Sequence, residues 1–328
     1  MSQTPDVLIA GAGVIGMSIA WKLAQAGLKA ELLDPAGPGK EASWAGAGML
    51  SPGGEVFARS AFSDLLIHSA EIFPVFLHDL DPEIDYLRTG AWHFASSDSD
   101  WDHLQRRACV QRSFGVAAEP DRERRGIWYP NDAYVDPRQL IARLEQACRQ
   151  QRIVIRQEPV NVLDAANLPA ARVVIAAGAW SGAIEIRNGP ALRPTKPVRG
   201  HLISYSMPKG LLPFIVRRDH TYVFQRRSGV VIAGATEEHV DFDRSLSQEA
   251  VESIRRNAEA LVPELLNQPI ADAWCGFRPA MVSGEPAIGR HADTFIWTAY
   301  GHYRNGILGA PGTAELVTAQ IIASLEKG

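Results

Sequence analysis

The 328 residues predict a mixed α/β fold in which a parallel-sheet domain is interleaved with a smaller antiparallel-sheet domain. Three observations predict it. A short apolar strand near the N-terminus runs directly into a glycine-rich turn and a helix. A second glycine-bearing segment followed by an apolar helix lies near the C-terminus. Between them strands alternate, with no Pro/Gly/Ser linker separating two halves. Motifs of one kind therefore flank a block of another, so the first domain must be discontinuous. The expected ranges are 1–83, 134–196 and 280–328 for it, and 84–133 and 197–279 for the second domain.

Composition narrows the classes. A hydrophobic content of 46%, 21% charged residues and a net charge of −4 describe an ordinary globular chain and exclude a basic, nucleic-acid-coating surface. Cys109, Cys148 and Cys275 are far apart, which suits neither zinc nor a disulfide framework and points to a reducing compartment. The nine histidines contain no HxH or HxxxH pair, so no metal is expected. Val7 to Trp21 is apolar and uncharged like a signal-peptide core, but only Asp6 precedes it in charge, and it is shorter than the about 20 residues a bilayer span requires. The expectation is a cytoplasmic protein without an integral membrane segment.

The elements follow in order. Asp6 to Ala10 reads as a buried parallel strand. Gly11, Gly13 and Gly16 then form a GxGxxG turn around Val14 and Ile15, opening a helix over Met17–Ala26 that Gly27 stops. In such a turn the first glycine permits the tight bend, the second lets a pyrophosphate approach the backbone, and the third packs helix against strand. The helix N-terminus offers free N–H groups to the phosphates. Ala30 to Asp34 is the next strand, and Asp34 stands where an acid bonds ribose hydroxyls, which favours NAD or FAD over NADP. This is a Rossmann-like dinucleotide signature. Helices follow at about 61–80, kinked at Pro74, and at 137–150, started by Asp136-Pro137. A third is expected at about 248–260 and a fourth from about Ile307 to Leu325. Strands are expected at 199–206, 221–226 and 230–235, the last two forming a hairpin around Ser228-Gly229. Two further stretches suit a long cofactor touched at several places: Ser43 to Leu50, with Ala47, Gly48 and Met49, and the strand from Arg172 that ends in Gly178, Trp180 and Ser181.

These blocks, with Lys196 to Gly200, His220-Thr-Tyr222, Trp274 to Pro279, Gly289-Arg-His291 and Gly301 to Leu308, make the sequence resemble the flavin-dependent amino-acid oxidases of the D-amino-acid oxidase group, most closely the glycine oxidases of thiamine (thiazole) biosynthesis. The resemblance spans nearly the whole chain. It implies non-covalent FAD in an interleaved FAD-binding domain and oxidative deamination of a small amino acid or N-methyl glycine, with dioxygen as acceptor. It implies that Arg278 pairs with the substrate carboxylate and Tyr222 lines the substrate cavity. His220 and His302 are expected to line the site too. It also implies that His302, Tyr303, Arg304, Asn305, Gly306, Ile307 and Leu308 run along the isoalloxazine, Arg304 touching flavin, substrate or both, and that Val160 meets the adenine end.

A planar guanidinium suits a carboxylate because it binds it bidentately. No acid–base dyad stands out in the sequence, so positioning carries the expected mechanism: the flavin takes a hydride, and the imine hydrolyses to the 2-oxo acid. Relatives such as monomeric sarcosine oxidase attach flavin through a cysteine near the stretch that holds Cys275; here an inert thiol is expected. Arg122 to Arg125, Arg217-Arg218 and Arg226-Arg227 have acidic neighbours and read as solvated surface. A dehydrogenase, a non-catalytic flavin subunit, an RNA-modifying flavin domain and a homo-oligomer stay open. Two departures from the relatives stand out: Asp34 replaces the commoner glutamate, and Asn161 to Asn167 is too brief for the usual extra hairpin.

Overall fold

The computed structural model describes residues 4–326. Its first sheet has six strands, in the order Ala287–Arg290, Ile296–Tyr300, Arg172–Ile175, Val7–Ala10, Ala30–Leu33 and Val154–Arg156. All pairings are parallel except the outermost, between Ala287–Arg290 and Ile296–Tyr300. Side chains alternate across a strand, and here each face has its own core. Val7 and Ile9 pack with the helices Val14–Gln25, Ala61–Leu80, Pro137–Gln150 and Ala310–Leu325. Leu8 and Ala10 face Leu163, Ile184 and Tyr300 instead. Burial on both faces explains why Val7–Ala10 is an unbroken apolar run.

The helices start where the sequence signals. Asp136 accepts hydrogen bonds from the Arg138 and Gln139 N–H groups at 2.9 and 3.3 Å, with Pro137 in the first turn. Ser60 caps Ala61–Leu80 through Ser63, and Pro74 lies inside that helix.

The second sheet has eight strands, in the order Asp272–Met281, Thr195–Ser206, Val230–Gly234, Thr221–Gln225, Ile215–Arg218, Ala91–Phe94, Gly126–Tyr129 and Glu119–Asp121. One of its pairings is parallel, Ile215–Arg218 with Ala91–Phe94, two strands from distant parts of the chain. Gln248–Leu261 covers one face, packing Ile254 and Ala258 on Ile203, Val223 and Ala233. The first sheet takes its strands from 7–33, 154–175 and 287–300, and the second from 91–129 and 195–281, so the chain passes repeatedly between them.

Two expectations change, and two further features accompany them. The last helix begins at Ala310, after a separate turn at Tyr303–Asn305, because Gly306 and Gly309 interrupt the apolar run. The central strand expected at 199–206 begins at Thr195, held by continuous pairing of Thr195–Ser204 with Asp272–Met281. Val162–Asp164 pairs in parallel with Glu185–Arg187, a two-stranded unit where a hairpin is absent. The helix Asp98–Arg112 was not anticipated; its polar sequence hides a narrow buried face at Leu104, Ala108 and Gln111. No helix among the described residues is long and apolar enough to cross a membrane.

Candidate active site

One deep cleft starts at the carboxyl ends of the parallel strands, the place where open α/β sheets bind ligands, and runs to the second sheet. Its walls include Gly11, Gly13, Val14, Ile15 and Asp34 at one end and Tyr222, Arg278 and Arg304 at the other. Ser43, Ala47, Gly48, Met49, Val160, Gly178 and Trp180 line it between, with His302, Tyr303, Asn305, Gly306 and Ile307.

The nucleotide end is built by close approach. Gly11 lies at φ +109°, and a Cβ there would stand 2.3 Å from the Ala176 carbonyl oxygen. A Cβ on Gly16 would meet the Gly11 carbonyl at 2.0 Å, so its lack of a side chain is what lets the helix touch the strand. Gly13 is the N-cap of Val14–Gln25 and has no side chain to satisfy the helix N–H groups. The Val14 N–H donates to Ser43 Oγ at 3.0 Å. Asp34 accepts from the Ala12 and Ala36 N–H groups at 2.8 and 3.0 Å, which fixes its carboxylate at the cleft wall. Burial raises its pKa, and those two N–H groups offset part of the rise. A helix N-terminus whose N-cap residue has no side chain, a second-strand acid and a wall of glycines fit a dinucleotide such as FAD.

The other end is charged. Arg278 projects from Asp272–Met281 beside Gly200 on the neighbouring strand; a Cβ on Gly200 would fall 2.3 Å from both terminal nitrogens. Its Nη1 donates to the Thr236 carbonyl at 3.0 Å, and it has no ion-pair partner among the described residues. Burial lowers its pKa below the ordinary guanidinium value; Tyr222 opposes that and Arg304 adds to it. Arg304 is different, because it donates to Glu237 at 2.5 Å. Burial works against its charge, but Glu55, Tyr303 and Glu237 together raise its pKa. For Glu237, burial is outweighed by hydrogen bonds from Tyr303 and Arg304, which bring it below the usual carboxylate range. Burial pushes Tyr222 up to about 12 and His302 down to about 4. His302 is therefore neutral near pH 7, bonded through Nε2 to Thr313 Oγ1 at 3.0 Å.

Several sequence expectations need correcting. His220 is exposed in the turn at Asp219, before the strand Thr221–Gln225 begins, and does not line the cleft. Gly16 packs helix against strand as its place in the motif implies, and Leu308 is not on the cleft wall but in the helical core. Cys275 is likewise absent from the cleft, its Sγ facing the Arg244 carbonyl at 3.5 Å. Arg217 and Arg226 are not solvated surface. They are 5% and 8% exposed and pair with Asp132 at 2.6 Å and Asp136 at 2.9 Å. The acids that neutralise them lie far along the chain, so the sequence could not show the pairing. Arg124 does sit at the surface, paired with Asp121.

Sequence reasoning missed Ser51, Glu55 and Glu237. Glu55 lines the cleft with Arg278 and Arg304. Its only signal was a single acid ending the run Ser51-Pro-Gly-Gly. Nothing in the sequence set Glu237 apart from Glu238.

The family model described as DAO, FAD dependent oxidoreductase, matches residues 6–320. A glycine oxidase of Pseudomonas aeruginosa is 32% identical over 345 residues, spanning 95% of this chain and 93% of that protein. A bifunctional protein ThiO/ThiG of Synechocystis sp. is also 32% identical; the match covers 98% of this chain and about half of that protein, 52%. Among solved structures, the glycine oxidase from Geobacillus kaustophilus superposes with a TM-score of 0.92 at 27% identity, covering 97% of this chain and 95% of that one.

Proposed function

Because the chain belongs to the DAO family of FAD-dependent oxidoreductases, we propose that it oxidises a small α-amino acid, glycine or N-methyl glycine, with dioxygen as the electron acceptor. The chemistry FAD supplies when bound is acceptance of a hydride from the substrate α-carbon and return of the electrons to dioxygen as peroxide.

The protein's own part is binding and orientation. Gly11, Gly13 and the N-terminus of Val14–Gln25 would hold the pyrophosphate, and Asp34 the ribose, with Val160 beside the adenine and residues 302–307 along the flavin. Arg278 carries the substrate reading. It is the half-buried guanidinium of the cleft that has no carboxylate partner among the described residues, and one of its five donors is spent on Thr236. The remaining fork suits a carboxylate. Arg304, already paired with Glu237, shapes the cavity and keeps a positive charge beside the flavin segment. Tyr222, kept protonated by burial, offers a hydroxyl donor on the same wall. Holding the carboxylate fixes the α-carbon, which is where orientation contributes most to rate. The imine released hydrolyses in water to the 2-oxo acid and ammonia, or methylamine.

The test is direct. The purified protein is mixed anaerobically with glycine, N-methyl glycine and small D-amino acids while flavin absorbance is followed; air is then admitted and peroxide assayed. Loss of flavin colour with at least one of them, followed by peroxide, is expected. No bleaching by any of them would refute the proposal.

A further inference from the structure

We propose that Glu55 is the second anchor of the substrate, receiving its amino group while Arg278 holds its carboxylate. The inference rests on the amino-acid reading above and assigns a role to a side chain that reading leaves idle.

An amino acid at neutral pH carries opposite charges on groups joined to one carbon. A complementary site needs one free cation and one free anion on the same cavity. Arg278 is the free cation. Of the acids around it, Glu237 is consumed by Arg304, and Asp132 by Arg217. Glu55 lines the cleft and has no hydrogen-bond or ion-pair partner among the described residues.

An unpartnered carboxylate in a cleft could be a loose side chain on a loose turn. The turn here is the opposite of loose. Gln111, with no exposed surface, donates through Nε2 to the carbonyls of Gly53 at 3.0 Å and Val56 at 2.7 Å, and its Oε1 accepts from Tyr129. Arg107 Nη2 donates to the Gly53 carbonyl at 2.5 Å. Asp132, 2% exposed, accepts from the Gly53 N–H and from Ser51 Oγ, and Arg217 donates to both Ser51 and Asp132. Gly53 and Gly54 let these side chains come close: a Cβ would fall 2.1 Å from the Tyr129 ring and 2.0 Å from Arg217 Nη1. Three distant segments thus fix the short helix Pro52–Glu55, whose last residue reaches the cleft without a hydrogen-bond partner among the described residues. Functional groups held by such a supporting shell are preorganised.

The charges facing Glu55 are Arg304, Arg217, Arg107 and Arg278, with the Tyr222 hydroxyl nearby. Burial raises the Glu55 pKa and the four arginines restrain the rise. A carboxylate of raised pKa is a better proton acceptor. One ammonium proton passes to a Glu55 oxygen, giving a carboxylic acid and a neutral amine whose nitrogen keeps the electron pair. The neutral amine is the form from which hydride can leave the α-carbon.

Glu55→Gln in the FAD-loaded protein tests this against the wild type. Acetate, a carboxylate with no amine, is titrated by its perturbation of the flavin spectrum, and kcat/KM for glycine or N-methyl glycine is measured across pH. The variant is expected to bind acetate as tightly as wild type or more tightly, since a negative charge is lost. It should lose tenfold or more in kcat/KM and lose the acid limb of the wild-type pH profile. Glu55→Asp, which keeps the charge, should recover part of the activity and serves if the glutamine variant does not fold. An unchanged kcat/KM and pH profile would overturn the assignment, as would equal losses of acetate and amino-acid binding, which would mark a structural role. Failure of the wild type itself to be reduced by any amino acid would overturn the functional reading on which this one rests, a distinct outcome.

Discussion

Replacing Arg278 by lysine keeps the charge and removes the fork. In the structure the guanidinium sits over Gly200, with Nη1 bonded to the Thr236 carbonyl at 3.0 Å. A lysine ammonium is a point charge on a flexible stem and cannot present two parallel N–H groups to a carboxylate. A hydrogen bond to a charged group contributes about 1.5–3 kcal/mol, and each 1.4 kcal/mol is about tenfold in affinity. Arg278→Lys should therefore weaken acetate binding by about tenfold to a hundredfold and raise KM for the amino acid similarly. Flavin content should persist, because the nucleotide end of the cleft does not involve this residue. Gly200→Ala is the companion variant: its Cβ would stand 2.3 Å from both terminal nitrogens and must push the guanidinium aside without changing its charge. The assay is the acetate titration with a thermal melt as control. An acetate dissociation constant within threefold of wild type in Arg278→Lys would refute the carboxylate role.

Other outcomes follow from the same packing and charges. Gly11→Ala places a Cβ 2.3 Å from the Ala176 carbonyl at a φ of +109°, so the protein should purify with little flavin; full flavin content would contradict the close-approach account. Asp132→Asn leaves the buried Arg217 charge uncompensated, which costs about 3–5 kcal/mol. A urea midpoint close to that of wild type would show that the pair contributes nothing. His302, with a pKa of about 4 in the fold against about 6.5 in the unfolded chain, takes up a proton more readily when unfolded. Its contribution to stability is present above pH about 6.5 and is lost as pH falls toward 4, by about 3 kcal/mol in all. Unfolding by urea at pH 7 and pH 4.5 should show a shallower pH dependence in His302→Gln, and equal slopes would exclude His302 as the cause.

The parts of the fold that were legible are those whose cause is local. Gly11 to Gly16 after a strand, Asp136-Pro137 before a helix and Ser228-Gly229 between strands each combine a turn constraint with a periodicity change within about ten residues. Arg278 was legible through the motif around it, and the structure supplies its geometry. Helix Asp98–Arg112 was hidden because its apolar face is narrow and its surface polar. Arg217 looked like one of several exposed arginines, because Asp132 lies 85 residues away in the chain. His220 was misplaced because strand alternation, which sends Tyr222 into the cleft, leaves the residue two positions earlier at the end of a hairpin, where the strand has not yet begun.

By itself the sequence pointed to a dinucleotide at the first strand–helix turn, and to a cofactor shared by the first fifty and last fifty residues. Both follow from short-range chemistry: glycines where the backbone must be approached, an acid at a strand end, an apolar strand buried on two faces. Tertiary structure alone decided which charges are spent and which are free. Arginine and glutamate are frequent in the chain, and a side chain's partners depend on segments brought together from far apart. Only once Glu237 is seen on Arg304 and Asp132 on Arg217 do Arg278 and Glu55 stand out, among the described residues, as charges of opposite sign in one cleft without an ion-pair partner.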